Sequence, residues 1–423
     1  MSRILIRGAR QLLTLHGPPG PRRGSGLGDI GVIQDGAVLI ENGVIREVGP
    51  SRRIENIKGA RNAQEIDATG RVVMPGFVDS HTHLVCGPPR IHEYEMRIAG
   101  TSYQEIVESG GGILWSVRAV RATPIRRLML SARRALESWA RLGTTTIEAK
   151  TGYGLDESSE LKILRLMHAL PEEPVSVVST YLAHTMAPGF DGGTDHYIEW
   201  QYERMLPLVR RRKLARFADV YCEPGAFSVD QSRRYLEAAR SLGFELKLQA
   251  EQFSHSGGAA LGVELRVRSV DHLEQASRSD VATLAGSESV ATLLPGSVFY
   301  LGLDRYAPAR SLIDEGAAVA LATGYNPGTS PTPSMPMIIS LACLHMKMSP
   351  AEAISAATIN GACALGCSKK CGSLEAGKDA DLVILDCSDY RELPYRFGAS
   401  PVALTIKRGK VVYSQGHVEW PAK

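Results

Sequence analysis

A chain of 423 residues, 44% hydrophobic and 22% charged, has the make-up of a folded globular protein and excludes a disordered or fibrous one. Its formal net charge of +3 is too small to imply a nucleic-acid partner or an anionic membrane surface. Seven cysteines, an odd number with no export signal read at the start, predict free thiols in a reducing compartment and hence the cytoplasm; no apolar run is long enough to span a bilayer.

In chain order, the first stretch to about residue 64 reads as short, Gly-punctuated strands: ILIRGARQLLTL, GAVLIENGVIREVG and EIDATGRVVMPG. The far end has the same character in DADLVILD and PVALTIKRGKVVYSQGHVEW. The two tails are expected to pair into one small β-domain built from residues 1–67 and 372–423. Between them, over 68–371, eight strand-like runs alternate with helical patterns: 72–83, 144–150, 175–184, 218–225, 245–253, 269–275, 290–296 and 318–324. Eight such units predict the α/β class and a closed (β/α)8 TIM-like barrel. Cys363, Cys367 and Cys371 recur every four residues, which on a helix would align three sulfurs. SMPMIISLACLHMKM has the apolar spacing of a core helix.

Chemistry in such a barrel sits at the C-terminal ends of the strands. Those ends read His81 and His83, Lys150, His184, Cys222 with Glu223, Gln249 with Gln252, His272, Pro295 and Gly324. Polar groups gather where a structural core needs none. His81 and His83 alternate on one strand, so both imidazoles point the same way, and two converging imidazoles suit zinc or iron. His16, His92, His168, His196, His345 and His417 fall in helices, loops or tails and read as surface or capping residues. Lys150 is expected to form an internal ion pair with Glu148 or Glu223.

PGFVDSHTHLV, AGTSYQEIVESGGGI, GTTTIEAKTGYGLDESSELKILR, DVYCEPGAFS, SMPMIISLACLHMKMSPAEAISAATINGACALG and GSLEAGKDADLVILD together resemble the imidazolonepropionase family of the amidohydrolase superfamily, over about residues 68–398. The resemblance implies an amidohydrolase barrel that hydrolyses a cyclic amide C–N bond. The family substrate is 4-imidazolone-5-propanoate, opened to N-formimino-L-glutamate in histidine degradation, with zinc or iron as cofactor. It implies metal ligation by His81, His83 and the residue at 249, and catalytic roles at 252, 272 and 324. Here the family's fifth-strand phrase K-x-H-A-D-E-F reads Lys247-Leu248-Gln249-Ala250-Glu251-Gln252-Phe253, and its A-T-D-x-N-P-G reads Ala322-Thr323-Gly324-Tyr325-Asn326-Pro327-Gly328. Gln249 then stands at the histidine position, Gln252 at the glutamate and Gly324 at the aspartate, which predicts a chain with substituted metal-ligand positions and leaves its activity open. In the third-strand phrase, Thr185 takes the family histidine's place and His184 is its neighbour, a shift that turns the ring away from the mouth on a strand but leaves it free to return in a strand-end loop.

Substrate-side positions match at Arg90, Tyr103, Tyr153, Asn326, Gly328 and Thr329, with His272 as a retained histidine, and Thr185 stands at a further substrate-side position. The guanidinium of Arg90 suits a propionate carboxylate. Two readings stay open at this stage. One is a working hydrolase of a small carboxylated ring substrate. The other is a catalytically inactive or divergent relative that keeps a carboxylate-binding pocket and has lost the metal site. Neither reading invokes nucleic acid or a membrane, and a homodimer is compatible with both.

Overall fold

The structure, a computed structural model, describes residues 2–416, apart from the side chains of residues 103, 104 and 107. His417 and the rest of the C-terminal tail lie outside the described residues.

Eight parallel strands form the central sheet in strict chain order: Phe77–Asp79, Thr144–Lys150, Ser176–Ala183, Phe217–Cys222, Glu245–Ala250, Ser269–His272, Val290–Leu293 and Ala318–Leu321. Sequential order with parallel neighbours curls a twisted sheet towards closure. At the mouth the first and last strands meet: His83 N–H donates to Tyr325 O at 2.8 Å, and Gly324 N–H to His81 O at 3.0 Å. Strands of this sheet are buried on both faces: Thr144–Lys150, although rich in polar residues, is buried at every position.

The second sheet draws on both ends of the chain. Its order runs Lys410–Ser414, Val402–Lys407, Leu382–Leu385, Val72–Pro75, Arg3–Leu13, Val32–Glu41 and Val44–Pro50, with Gln64–Asp67 also paired to Arg3–Leu13. The N- and C-terminal halves join where Val72 faces Leu385 and Pro75 faces Leu382. Alternation divides this strand's side chains: Val73 joins Leu382, Ile384 and Leu404 in the small core, while Val72 and Met74 join the barrel core. The single run expected over 72–83 therefore divides at Gly76, where a Cβ would overlap the Thr145 side chain.

The three-sulfur alignment does not form. The helix Gly361–Ala364 ends before Cys367, and Cys367 and Cys371 lie in the turn that follows, with their sulfurs 3.4 Å apart. All seven cysteines are free. Among the described residues, no helix is long and apolar enough to cross a membrane.

Candidate active site

Beneath the mouth lies a fully buried ionic layer. Lys150 Nζ is 2.6 Å from Asp219, 3.0 Å from Glu148 and 3.3 Å from Asp271. Lys247 Nζ is 2.7 Å from Glu148 and also donates to Ser80 O at 2.9 Å. Lys150 thus pairs with Glu148 as expected. Glu223 does something else: its carboxylate accepts from the backbone N–H groups of Gln252, Phe253 and Ser254 and from the Ser254 hydroxyl. Burial pulls the Lys150 ammonium down, but Asp219, Glu148 and Asp271 together raise it above its ordinary value. For Asp271, burial pushes the carboxyl up, yet Lys247 and Lys150 hold it well below the usual range.

This layer orients the imidazoles above it. His81 Nδ1 donates to Asp271 at 2.7 Å, which settles the tautomer and leaves Nε2 as the lone-pair nitrogen. The His81 ring lies 5.6 Å from that of His83 and 5.3 Å from that of His272. The sixth strand ends on two residues of positive φ, His272 at 86° and Leu273 at 72°, a conformation unusual for non-glycine residues that turns His272 into the mouth. Its Nδ1, like that of His83, is buried without a hydrogen-bond partner, and Glu274 is 3.5 Å from it.

His184 takes the strand-end-loop alternative. The third strand ends at Ala183, so strand alternation no longer governs the next residue, and the ring stacks on His83 at 5.6 Å. Its Nδ1 donates to Gly152 O at 3.2 Å. Thr185 is half-buried one residue further on. Tyr153 is buried with its ring 5.2 Å from His83 and 5.5 Å from His184. Burial keeps His81, His83 and His184 neutral: His81 and His83 fall well below the ordinary value, helped by Lys150 and, for His83, by His81 and His184, and His184 falls to about 4. Neutral imidazoles are the form that binds a metal.

Across the mouth, Arg90 is buried, with Nε and Nη1 unbonded and Glu93 3.5 Å from Nη1. Its guanidinium packs so closely on Gly328 that a Cβ there would overlap it. Arg90 is also near enough to help hold His184 neutral. Arg97, one helical face further along, donates to Gly328 O at 3.2 Å. Asn326 ties this loop together: Oδ1 accepts from Gly328 N–H and Thr329 N–H, while Nδ2 donates to Gly324 O and Thr329 Oγ1. Tyr103 begins the helix Tyr103–Glu108, and its side chain lies outside the described residues.

At the fifth strand, Gln249 Nε2 donates to Asp219 at 2.9 Å, so the amide presents Oε1 as its other polar atom. Gly324 sits at φ +63°, and a Cβ there would meet Leu294 Cδ2 at 2.7 Å. Gln252 is buried just beyond, after Glu251 at φ +57°.

The expectation of a chain whose metal ligands are replaced, leaving its standing as an enzyme open, is corrected by a group it overlooked. Glu251, His255 and Asp280 form an intact Glu/His/Asp triad able to hold a metal ion, with their ligand atoms all within 4.8 Å of one another. Positions 249, 252 and 324 do not reveal this group, because the triad unites the fifth-strand loop with the helix Arg278–Ala285. As the triad stands, Glu251 accepts from the N–H groups of Ser256, Gly257 and Ala259. His255 Nε2 lies 2.8 Å from Asp280, which also caps its own helix through Ser277. Asp271, Lys247, Arg97 and Tyr221 also escaped sequence reasoning. Asp271 was signalled only by its place beside His272, and Arg97 by its distance of seven residues from Arg90 on one helix.

Comparisons with known proteins agree with this architecture. Amidohydrolase family models match residues 232–412 and 64–91. An imidazolonepropionase of Chloroflexus aggregans is 46% identical, covering 97% of this chain and 98% of the relative; that of Parabacteroides distasonis is 45% identical, covering 97% and 99%. Among solved structures, E. coli guanine deaminase superposes with TM-score 0.72 at 16% identity, covering 98% of this chain and all of the other. A Xanthomonas campestris adenosine deaminase with bound zinc gives 0.70 at 19%, covering 99% and 94%. At such identities the structural likenesses speak for the fold alone.

Proposed function

The chain belongs to the imidazolonepropionase family, and we propose that it hydrolyses 4-imidazolone-5-propanoate, opening the cyclic amide C–N bond to give N-formimino-L-glutamate. The observation that carries the reading is a cluster of imidazoles at the C-terminal mouth of the barrel, facing a buried guanidinium with unbonded N–H groups. That pairing suits a ring to be attacked at one end and a carboxylate to be held at the other.

The residues fit zinc or iron: Glu251, His255 and Asp280, with ligand atoms all within 4.8 Å of one another, would hold an ion, and His81, with its tautomer set by Asp271, and His83, with an orphaned nitrogen, add imidazoles at the mouth. When bound, it would supply Lewis acidity and a water of lowered pKa. The chain's own groups account for the rest. Arg90 takes the propionate carboxylate, over the loop that Asn326 braces with Gly328 and Thr329. Tyr153 and His184 wall the ring, and Thr185 stands beside them in this reading. Gly324 contributes backbone only, so the proton that must reach the departing nitrogen falls to His272, beside Glu274. The free cysteines are consistent with a cytoplasmic enzyme, acting on a small carboxylated substrate and compatible with a homodimer.

The test is direct. Purified protein loaded with zinc or iron should convert the imidazolone, followed by loss of its ultraviolet absorbance and formation of N-formimino-L-glutamate. Metal-replete protein with no turnover would refute the assignment.

A further inference from the structure

At the end of the barrel away from the mouth, the segment 361–372 closes the floor. Gly361 lies so close to Val78 O of the first strand that a Cβ there would overlap it. Arg216, just ahead of the fourth strand, donates to Gly366 O at 3.1 Å and pairs at 2.7 Å with Glu245, where the fifth strand begins. Cys371 packs with Val78, Ala362 and Leu365, and Cys367 and Val178 of the third strand lie against them. The floor leads straight into the terminal sheet. Asp379 N–H donates to Lys370 O at 2.9 Å, and Asp381 forms a buried pair with Lys407 at 2.6 Å.

Cys371 N–H donates to Cys367 O at 3.1 Å, a single helical turn that sets residues four apart on one side. Their Sγ atoms share a hydrogen bond at 3.4 Å and are not covalently joined. A disulfide needs about 2.0 Å, so the sulfurs have only about 1.4 Å to close. Cys367 is half-buried beside the exposed Lys369 and Lys370, which opens the pair to small reagents, while Cys371 is buried. The shared proton favours a thiolate: Cys367 draws the Cys371 thiol below its ordinary value, and nearby Lys407 acts the same way, against burial. Elsewhere burial does the opposite, pushing Cys86 and Cys387 up to about 12 and Cys343 up to about 11. A thiolate in contact with a second sulfur and reachable from solvent is the arrangement that oxidises to a disulfide before other thiols react.

We propose that Cys367 and Cys371 are a redox-reversible dithiol, closed by hydrogen peroxide and reopened by a small dithiol, that tightens the turn joining the barrel floor to the C-terminal strands. In closing, one thiolate sulfur bonds to a peroxide oxygen as the O–O bond breaks, giving a sulfenic acid and one water. The second sulfur then bonds to the first as the S–O bond breaks, and that oxygen leaves as the second water. The two sulfurs lose two electrons and the peroxide gains them. In reopening, two thiol–disulfide exchanges restore both thiols and leave the reductant as a disulfide. The inference goes beyond the imidazolone reading and does not depend on it, since both sulfurs lie in the floor and the imidazoles stand at the mouth.

The full chain, reduced and then exposed to a small excess of hydrogen peroxide, is alkylated in denaturant and digested with trypsin. Cleavage at Lys369 and Lys370 puts the two sulfurs on different peptides. The expected product is residues 348–369 joined to 371–378, lighter than their sum by the two lost hydrogens and separated by dithiothreitol. The first peptide also holds Cys363, so Cys363→Ser should keep this product, whereas Cys367→Ser and Cys371→Ser should each abolish it. Should a serine in the floor fail to fold, alanine takes its place. The link should form at least about tenfold faster than Cys343, the other half-buried thiol, is oxidised. Amide hydrogen exchange over residues 371–381 should slow on closure and recover with dithiothreitol. A link made through Cys363, a product that survives in Cys367→Ser, earlier oxidation of Cys343, or exchange that closure leaves unchanged would each overturn the proposal.

Discussion

Replacing Lys150 with methionine tests whether the ionic layer under the mouth is held by charge. Methionine keeps much of the side chain's length and removes a cation that three carboxylates share at 2.6, 3.0 and 3.3 Å, all fully buried. Breaking a buried pair from one side costs about 3–5 kcal/mol, because the surviving charges stay out of water without compensation. With a denaturant slope of about 3 kcal/mol/M or more for a chain of this size, the urea midpoint should fall by about 1 M. The sign of the pH dependence follows from the shifts. Lys150 is raised, so its contribution is complete below the ordinary ammonium value of 10.5 and is lost only as pH rises through the higher folded value. Asp271 is depressed, so its contribution is present above the ordinary carboxylate range and is lost as pH falls through the lower folded value. The deficit of Lys150→Met should therefore be level between pH 7 and 9 and shrink as the carboxylates protonate in acid. Adding Asp219→Leu should cost less than the sum of the two single changes. A loss under about 1 kcal/mol, or a deficit that grows towards acid pH, would refute the reasoning.

Four further outcomes follow from the same geometry. Arg90→Met should raise the KM for the imidazolone at least tenfold with a smaller change in kcat, because the lost contact holds the carboxylate equally in ground and transition states; steady-state kinetics check this. Gly324→Ala should destabilise the fold by about 1–3 kcal/mol in denaturant titration, since it sets a side chain at φ +63° against Leu294. His83→Ala should lower the bound zinc or iron measured by elemental analysis after dialysis, and an unchanged metal content would place the ion elsewhere. Mild thiol oxidation should remove two of the seven titratable thiols by joining Cys367 to Cys371, detected by thiol titration and by mass after digestion.

The barrel was legible because its signal is repeated eight times, and each strand-like run overlaps one barrel strand, the first also holding a strand of the second sheet. The union of the two tails was legible from composition alone, although no local pattern shows which strands meet. The split at Gly76 was not, since an apolar run buried on both faces carries no alternation to mark where one sheet gives way to another. In the site, His81 and His83 could be placed from strand parity, but His184 could not, because parity ends with the strand at Ala183. The triad was invisible for a related reason: His255 is separated from Asp280 by a helix and a strand, and only the closed barrel sets them side by side. Asp271 and Lys247 read as unremarkable strand residues until their burial was known.

The strand Val72–Pro75 has an implication for how the protein is made. Its barrel neighbour Phe77–Asp79 begins the site, yet Val72–Pro75 itself pairs with Leu382–Leu385, a strand that follows the whole barrel in the chain. Until that segment emerges, a four-residue strand buried at every position in the finished protein has an unpaired edge while almost the whole barrel is synthesised. The histidines stand just downstream of it, on the seam that closes only when Gly324 and Tyr325 arrive. Nascent chains cut short before residue 382 are therefore expected to carry a sticky edge, to aggregate or be degraded, and to hold no half-working site in the cell. Synthesis is all-or-none for function.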